Sequence, residues 1–435
     1  MDQLSVELVE LIFNELDDRS TLAFRAVSRR LCRATYDLFT QRWFATLVTD
    51  FTPWTLARLF RISQDRDLAS RVRCLRIDIR AAIPRTGAPI PLALTLRLPD
   101  DEEDSFKQPC PRRESGSLDL DSPQANRLRD MFLRFTNCTE ICVTDGFVSR
   151  FWDKPPAGKI SPIDICWLML SLLSGDGRLQ LERFEVEFGR NPIEKTDAWP
   201  SGPELCAFLS QSSWATHLRQ LSISWEFKES LLEIMMPLIT SAAQLKSLAL
   251  RHSGFSENDA FFTQLASAPQ VPALTELRLA GCNEVSRAVL TRLIARFQPT
   301  LELLWIRYVS VAGGSRGNPE GRIGYVLSQL ANMDWPALRC VTVPGCFREF
   351  WCPLLFNQEF MDRCGGGFEF TLRNFRSKQR VDCIRYRGHG DDMRFALSAM
   401  NNSYKLQRKG PGPETPDFES SPGFRLGRLM KREPI

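Results

Sequence analysis

Histidine is almost missing from this chain: His217, His252 and His389 are the only three in 435 residues. None belongs to a His-Glu-x-x-His, His-x-x-x-His or nucleophile–base pattern, so imidazole-centred hydrolysis and histidine zinc sites lose their usual signature. Thirteen cysteines occur, but no two form a Cys-x-x-Cys pair. Scattered among apolar neighbours, as at Cys74, Cys142, Cys166, Cys206 and Cys340, they read as reduced core thiols rather than disulfides or metal ligands. Cys138 and Cys142, with three residues between them, come nearest to a metal-type spacing. A phosphate-binding loop is also lacking: Gly313-Gly314-Ser315-Arg316-Gly317 has no terminal Lys-Ser/Thr, and Gly365-Gly366-Gly367 reads as a turn. The expectation is a chain without catalytic residues, metal or cofactor.

Long apolar runs are absent as well. No stretch of about 18 uninterrupted apolar residues occurs, and the first residues lack the basic and apolar segments of a secretory signal. This predicts an intracellular protein, cytoplasmic and/or nuclear. The net charge of +4 is small for 435 residues, and it gives no warrant for nucleic-acid binding. What remains is an ordinary globular composition, 43% hydrophobic and 25% charged, long enough for several domains or one repeat array.

The N-terminal residues carry the first positive signal. Leu4, Leu8, Leu11, Ile12 and Leu16 recur at helical spacing and predict one apolar stripe, with Glu7, Glu10, Asn14 and Glu15 on the other side. Asp18 or Ser20 is a candidate cap for a second helix carrying Leu22, Ala26, Val27 and Leu31 inward. Leu38, Phe39, Trp43, Phe44 and Leu47 mark a third run. A unit of about 40 residues is near the lower limit for burying a core alone, so part of its apolar surface is expected to be covered by something else.

Leu4-Ser5-Val6-Glu7-Leu8, Ile12, Leu16 and Val27-Ser28-Arg29-Arg30-Leu31 resemble the F-box family. Ser5 stands where the family usually has proline and Leu31 where tryptophan is frequent; serine can also begin a helix. The resemblance implies a non-catalytic subunit that docks on the Skp-type adaptor of an SCF-type, cullin-RING ubiquitin ligase. Leu4, Ser5, Leu8, Ile12, Leu16, Leu22, Val27 and Leu31 are the implied adaptor-binding residues. The alternative is an N-terminal helical hairpin packed on the rest of the chain.

From about residue 72 a second pattern recurs: apolar, two variable, apolar, one variable, apolar. Its clearest instance is Leu274, Leu277 and Leu279. Others are Leu218/Leu221/Ile223, Leu245/Leu248/Leu250, Leu301/Leu304/Ile306 and Leu338/Val341/Val343, with weaker forms at Val72/Leu75/Ile77, Cys138/Ile141/Val143 and Leu181/Phe184/Val186. Starts at 218, 245, 274 and 301 lie 27, 29 and 27 residues apart, in the range of leucine-rich repeats. Helical segments are predicted between them, from 283 or 284 to 297, from Ser256 onward, and around Ile323, Val326, Leu327 and Leu330. The predicted fold class is α/β: a small three-helix domain at 1–47, a helical connector at 48–71, and an irregular leucine-rich-repeat solenoid at 72–400 with parallel strands on its concave face and helices outside. An α/β globular domain with leucine-led parallel strands is the alternative. Residues 99–126 are expected to form a disordered acidic and proline-containing insert, and 401–435 a flexible basic tail.

Alternation along each strand sends the residues between the core leucines to the other face. In the later repeats that rule groups Arg251, Arg278, Trp305 and Arg307, an Arg-and-Trp composition favoured at interaction hot spots. They are the candidate substrate-binding residues, suited to an acidic or phosphorylated segment of a protein partner. The competing reading packs Trp305 under the loop at Gly313-Gly314-Ser315 and leaves the arginines as a solvated face. Function is then expected to be substrate recognition for the ligase, or else a leucine-rich scaffold whose N-terminal helices only cap the array.

Overall fold

Polar residues at chain breaks divide the N-terminal region into four helices: α1 (Val6–Glu15), α2 (Asp18–Val27), α3 (Arg29–Ala34) and α4 (Tyr36–Phe44). Asp17, rather than Asp18 or Ser20, caps α2 by accepting the Ser20 amide at 2.7 Å. Ser28 is extended and accepts the Leu31 amide, which ends α2 at Val27 and starts α3. The structure, a computed structural model, describes residues 4–78, 111, 119–144, 162–174, 179–187, 202–224, 232–251, 259–282, 285–307, 309, 311, 323–344, 368–375, 378–388 and 391–406. It is α/β, with these helices followed by mostly parallel strands.

The chain divides into two units, Met1–Leu218 and Arg219–Ile435, so the division falls within the stretch expected to be one repeat array. After α4 the first unit continues with β1 (Thr46–Thr49), α5 (Pro53–Gln64), α6 (Arg66–Arg71), β2 (Cys74–Asp78), α7 (Pro123–Leu133), β3 (Glu140–Thr144), α8 (Pro162–Ser171), β4 (Arg183–Glu187), α9 (Gly202–Ser210) and α10 (Ser213–His217). The expected helical connector therefore opens with a strand. β1 is short, ends in a turn where Phe51 takes φ 61°, and leads into α5 through Thr52, which caps it. The four strands pair in parallel in chain order, and Leu47, Leu75, Ile141 and Phe184 stand opposite one another.

The second unit repeats the scheme with β5 (Gln220–Ser224), α11 (Leu232–Thr240), β6 (Ser247–Arg251), α12 (Asp259–Ser267), β7 (Glu276–Ala280), α13 (Arg287–Arg296), β8 (Leu303–Arg307), α14 (Ile323–Ala331) and β9 (Cys340–Pro344). Leu221, Leu248, Leu277, Leu304 and Val341 form one rung of the parallel ladder. The residues three positions before them, Leu218, Leu245, Leu274, Leu301 and Leu338, are all buried. Each strand thus turns its leucines to the helices, because a period of two puts every second side chain on one face.

A backbone device locks the register. Just before most of the parallel strands, one carbonyl accepts two successive amides of the following layer: Arg73 accepts Thr139 and Glu140, Lys246 accepts Thr275 and Glu276, and Thr275 accepts Glu302 and Leu303, at 2.7–3.0 Å. A slip by one residue would lose both bonds and rotate the leucines out of the core.

The parallel ladder ends at β9. There β10 (Phe368–Phe375) and β11 (Lys378–Arg387) form an antiparallel hairpin, with β11 paired to β9, before α15 (Asp391–Leu406) packs beside α14. The Gly388 amide donates to the Arg339 carbonyl at 3.0 Å. A Cβ at Gly388 would meet the Tyr386 ring, so a larger residue there would displace that ring.

The expected boundaries shift at three places. Residues 119–126, assigned to the insert, are part of the fold, since Ser122 accepts the Ala125 amide and caps α7. The helix expected from 283 or 284 starts at Arg287, after Ser286, whose amide donates to Asp259. α15 carries regular structure to Leu406, past the expected start of the tail; the rest of the insert apart from Pro111, and Ser256 and residues 407–435, lie outside the described residues. The packing predicts a contrast: Leu277→Ala, at a wholly buried position, costs about 2–5 kcal/mol. Arg278→Ala next to it, on the exposed face, stays within about 0.5 kcal/mol. Chemical denaturation of the two variants measures both.

Candidate functional site

Two surfaces stand out, and the first lies on α1. Its buried residues are Val9 and Phe13, which pack with Phe24 and Leu31 against partly buried Leu4, Leu16, Ala34, Leu38 and Phe39. The leucine stripe read from the sequence is therefore not the core-facing side. Leu8, Leu11 and Ile12 point to solvent at 49%, 62% and 38% exposure, together with Glu15. Val27, expected to face inward on α2, is 66% exposed, and Ala26 is exposed beside it. α1 is thus apolar on both sides, one filled by its own core and one open.

Of the residues assigned to adaptor contact, the structure exposes Ser5, Leu8, Ile12 and Val27, and half-buries Leu4, Leu16 and Leu22. Leu31 is a correction: at 1% exposure it is a core residue and offers nothing to a partner. Leu11, left out of that set, is the most exposed leucine on α1. The i, i+3, i+4 spacing of 8, 11 and 12 already placed it there.

Polar side chains hold this small unit in shape. The Arg25 guanidinium lies 4.0 Å over the Phe39 ring and donates to the Cys32 carbonyl at 3.0 Å and to Thr35 Oγ1 at 3.1 Å. Arg42 pairs with Asp18 at 2.9 Å and donates to the Leu16 carbonyl. Toward the following helices, the Tyr36 hydroxyl donates to Asp67 at 2.6 Å, and Arg71 pairs with Asp37 at 2.8 Å. The carboxylate beside it pushes the Tyr36 phenol up to about 12 from its ordinary 10.0, because the hydrogen bond favours the neutral form.

The second surface is the solvent side of the strands. In the first unit it carries Asp78, Glu140, Glu185 and Glu187 among Arg76 and Arg183, with Arg183 paired to Glu185 at 3.1 Å and to Glu140 at 3.8 Å. In the second unit the sign reverses. Register sets Arg278 beside Trp305 and Trp305 beside Thr342, while Arg251, Ala280 and Arg307 form the next rung. All four predicted residues share one face, with an alanine between Arg251 and Arg307. Arg278 pairs with Glu276, and the Arg307 guanidinium lies 6.0 Å from the half-buried Trp305 ring. Gly313-Gly314-Ser315, proposed to cover Trp305, lies outside the described residues.

Sequence reasoning missed two members of this face. Arg385 and Arg387 stand opposite Thr342 and Cys340 across the antiparallel β11–β9 pair, and Arg385 Nε donates to Thr342 Oγ1 at 3.3 Å. β11 follows the last leucine triplet and has no such triplet of its own. Its Arg385-Tyr386-Arg387 alternation was the available signal.

Burial pushes the Cys138 and Cys142 thiols up to about 12, so both are protonated near neutral pH. Among the described residues no group of three or more His, Cys, Asp or Glu is placed to hold a metal ion. His217 ends α10 with its Nδ1 against Thr216 Oγ1; His252 and His389 lie outside the described residues. No described helix is long and apolar enough to cross a membrane. No family model matches the chain, and no curated protein matches its sequence.

The raised Tyr36 pKa sets a pH dependence. Because the folded value exceeds the unfolded one, the bond to Asp67 contributes its full stability below about pH 10 and loses it as pH rises toward about 12. Unfolding midpoints of the wild-type chain and Tyr36→Phe are therefore expected to differ near neutral pH and to converge at the alkaline end.

Proposed function

We propose that this chain is a non-catalytic substrate-recognition subunit of an SCF-type ubiquitin ligase, in which residues 4–44 act as an F-box. The open apolar side of α1 carries the reading. Leu8, Leu11 and Ile12 with Val27 present four exposed apolar side chains on a unit already packed on its other side. Covering them gains on the order of 1 kcal/mol each, enough to make them the centre of a helix-to-helix docking site. Their positions are those the F-box resemblance assigns to the Skp-type adaptor, with Leu31 removed to the core and Leu11 added.

The rest of the chain suits a receptor. In-register parallel strands, leucines turned to the helices and one carbonyl serving two amides at most layers support a leucine-rich solenoid, whose strand face takes the target protein. Transfer of ubiquitin belongs to the cullin-bound RING and its conjugating enzyme; this chain supplies position and effective concentration. A scaffold whose N-terminal helices cap the array is the second reading, favoured by the Tyr36–Asp67 and Asp37–Arg71 ties to α6.

Adaptor binding separates the two. The full chain should bind a purified Skp-type adaptor, and Leu8→Asp or Ile12→Asp should weaken it at least tenfold with an unchanged unfolding midpoint, since both side chains are exposed. Leu31→Asp should instead unfold the helices. A wild-type chain that ignores the adaptor, or variants that bind it as tightly as wild type, would contradict the ligase reading.

A further inference from the structure

The strand face of the second unit has a composition that points to the kind of segment it takes. Across β6, β7, β8 and β11 it carries five arginines on three neighbouring rungs, Arg251 and Arg307 on one, Arg278 and Arg385 on the next, and Arg387 on the third, with Glu276 beside Arg278 and Glu369 of β10 opposite Arg385 in the register. The cations are held apart by their neighbours. Glu276 fixes Arg278, Trp305 underlies Arg307, and Thr342 receives Arg385. From β6 to β11 there are four strand steps, about 19 Å at about 4.8 Å each. A single phosphate, a few ångströms wide, meets only part of such a patch. An extended peptide covers it with about six residues, and its alternate side chains face the sheet together.

We propose that this face binds an extended aspartate- and glutamate-rich peptide segment of the target, laid across β6 to β11. Its carboxylates pair with arginines of these rungs and one apolar residue rests on Trp305. Arginine forks favour carboxylates bidentately, and half-buried Trp305 supplies the apolar anchor beside them. The proposal rests on the reading that the strand face takes the target protein.

The test is fluorescence anisotropy with the full chain and a labelled peptide of about eight residues, Asp or Glu alternating and one Phe included. Two comparators complete it: the Asn/Gln peptide, and that neutral peptide bearing one phosphoserine. The acidic peptide should bind at least tenfold more tightly than the neutral one and more tightly than the phosphoserine one, with affinity falling steeply as salt rises. Arg278→Ala combined with Arg307→Ala should weaken it at least tenfold. Arg251→Glu, at an exposed strand end, should do the same with an unchanged unfolding midpoint. Equal binding of acidic and neutral peptides, undiminished binding by these variants, or tighter binding of the phosphoserine peptide would each overturn the proposal. A chain that binds the adaptor yet ignores the acidic peptide sinks this inference alone. One that takes the peptide but not the adaptor sinks the ligase reading alone.

Discussion

Everything on either face of the strands depends on their register. At most layers one carbonyl accepts two amides of the next, and the leucines stand opposite leucines. Because the side-chain period is two, that alignment decides both faces at once. Holding Leu277 and Leu279 inward leaves Arg278 outward beside Trp305. The arginine patch is therefore a by-product of core packing in position, though not in residue type. No hydrophobic argument selects arginine at 251, 278, 307, 385 and 387.

The N-terminal helices follow a different rule. A unit of this size has few residues with which to make a core, and α1 gives Val9 and Phe13 to it. Leu8, Leu11 and Ile12 are surplus to that core. Arg25 over Phe39, together with its bonds to Cys32 and Thr35, holds the helices without needing the surplus leucines. Their exposure then has a cost in water that a partner removes. The same surface on an isolated helix would be an aggregation hazard, so its persistence on a packed unit is the strongest support for docking.

Much of the strand layout was legible because leucine triplets at 27 to 29 residue spacing carry both period and register. β2 to β9 fall on triplets read from the sequence. β1 was hidden because Thr46–Thr49 is too short to show a pattern, and β10 and β11 because an antiparallel hairpin breaks the repeat. On the N-terminal helices, the spacing of 4, 8, 11, 12 and 16 was correctly apolar but assigned no direction. Periodicity cannot tell which of two apolar sides of a helix meets the core, and Val9 and Phe13 at i, i+4 formed the competing side. Leu31 looked like a contact residue by resemblance and is buried, whereas Arg251, Arg278, Trp305 and Arg307 were legible from alternation alone.

The central claim is that the open side of α1 is a docking surface. Hydrogen–deuterium exchange of the full chain, measured with and without a purified Skp-type adaptor, tests it most directly. The account predicts slowed exchange across Val6–Glu15 and the end of α2 at Val27 in the presence of the adaptor, with β5 to β9 unchanged. Exchange in α1 that is the same with and without adaptor, at concentrations where a complex forms, would contradict it.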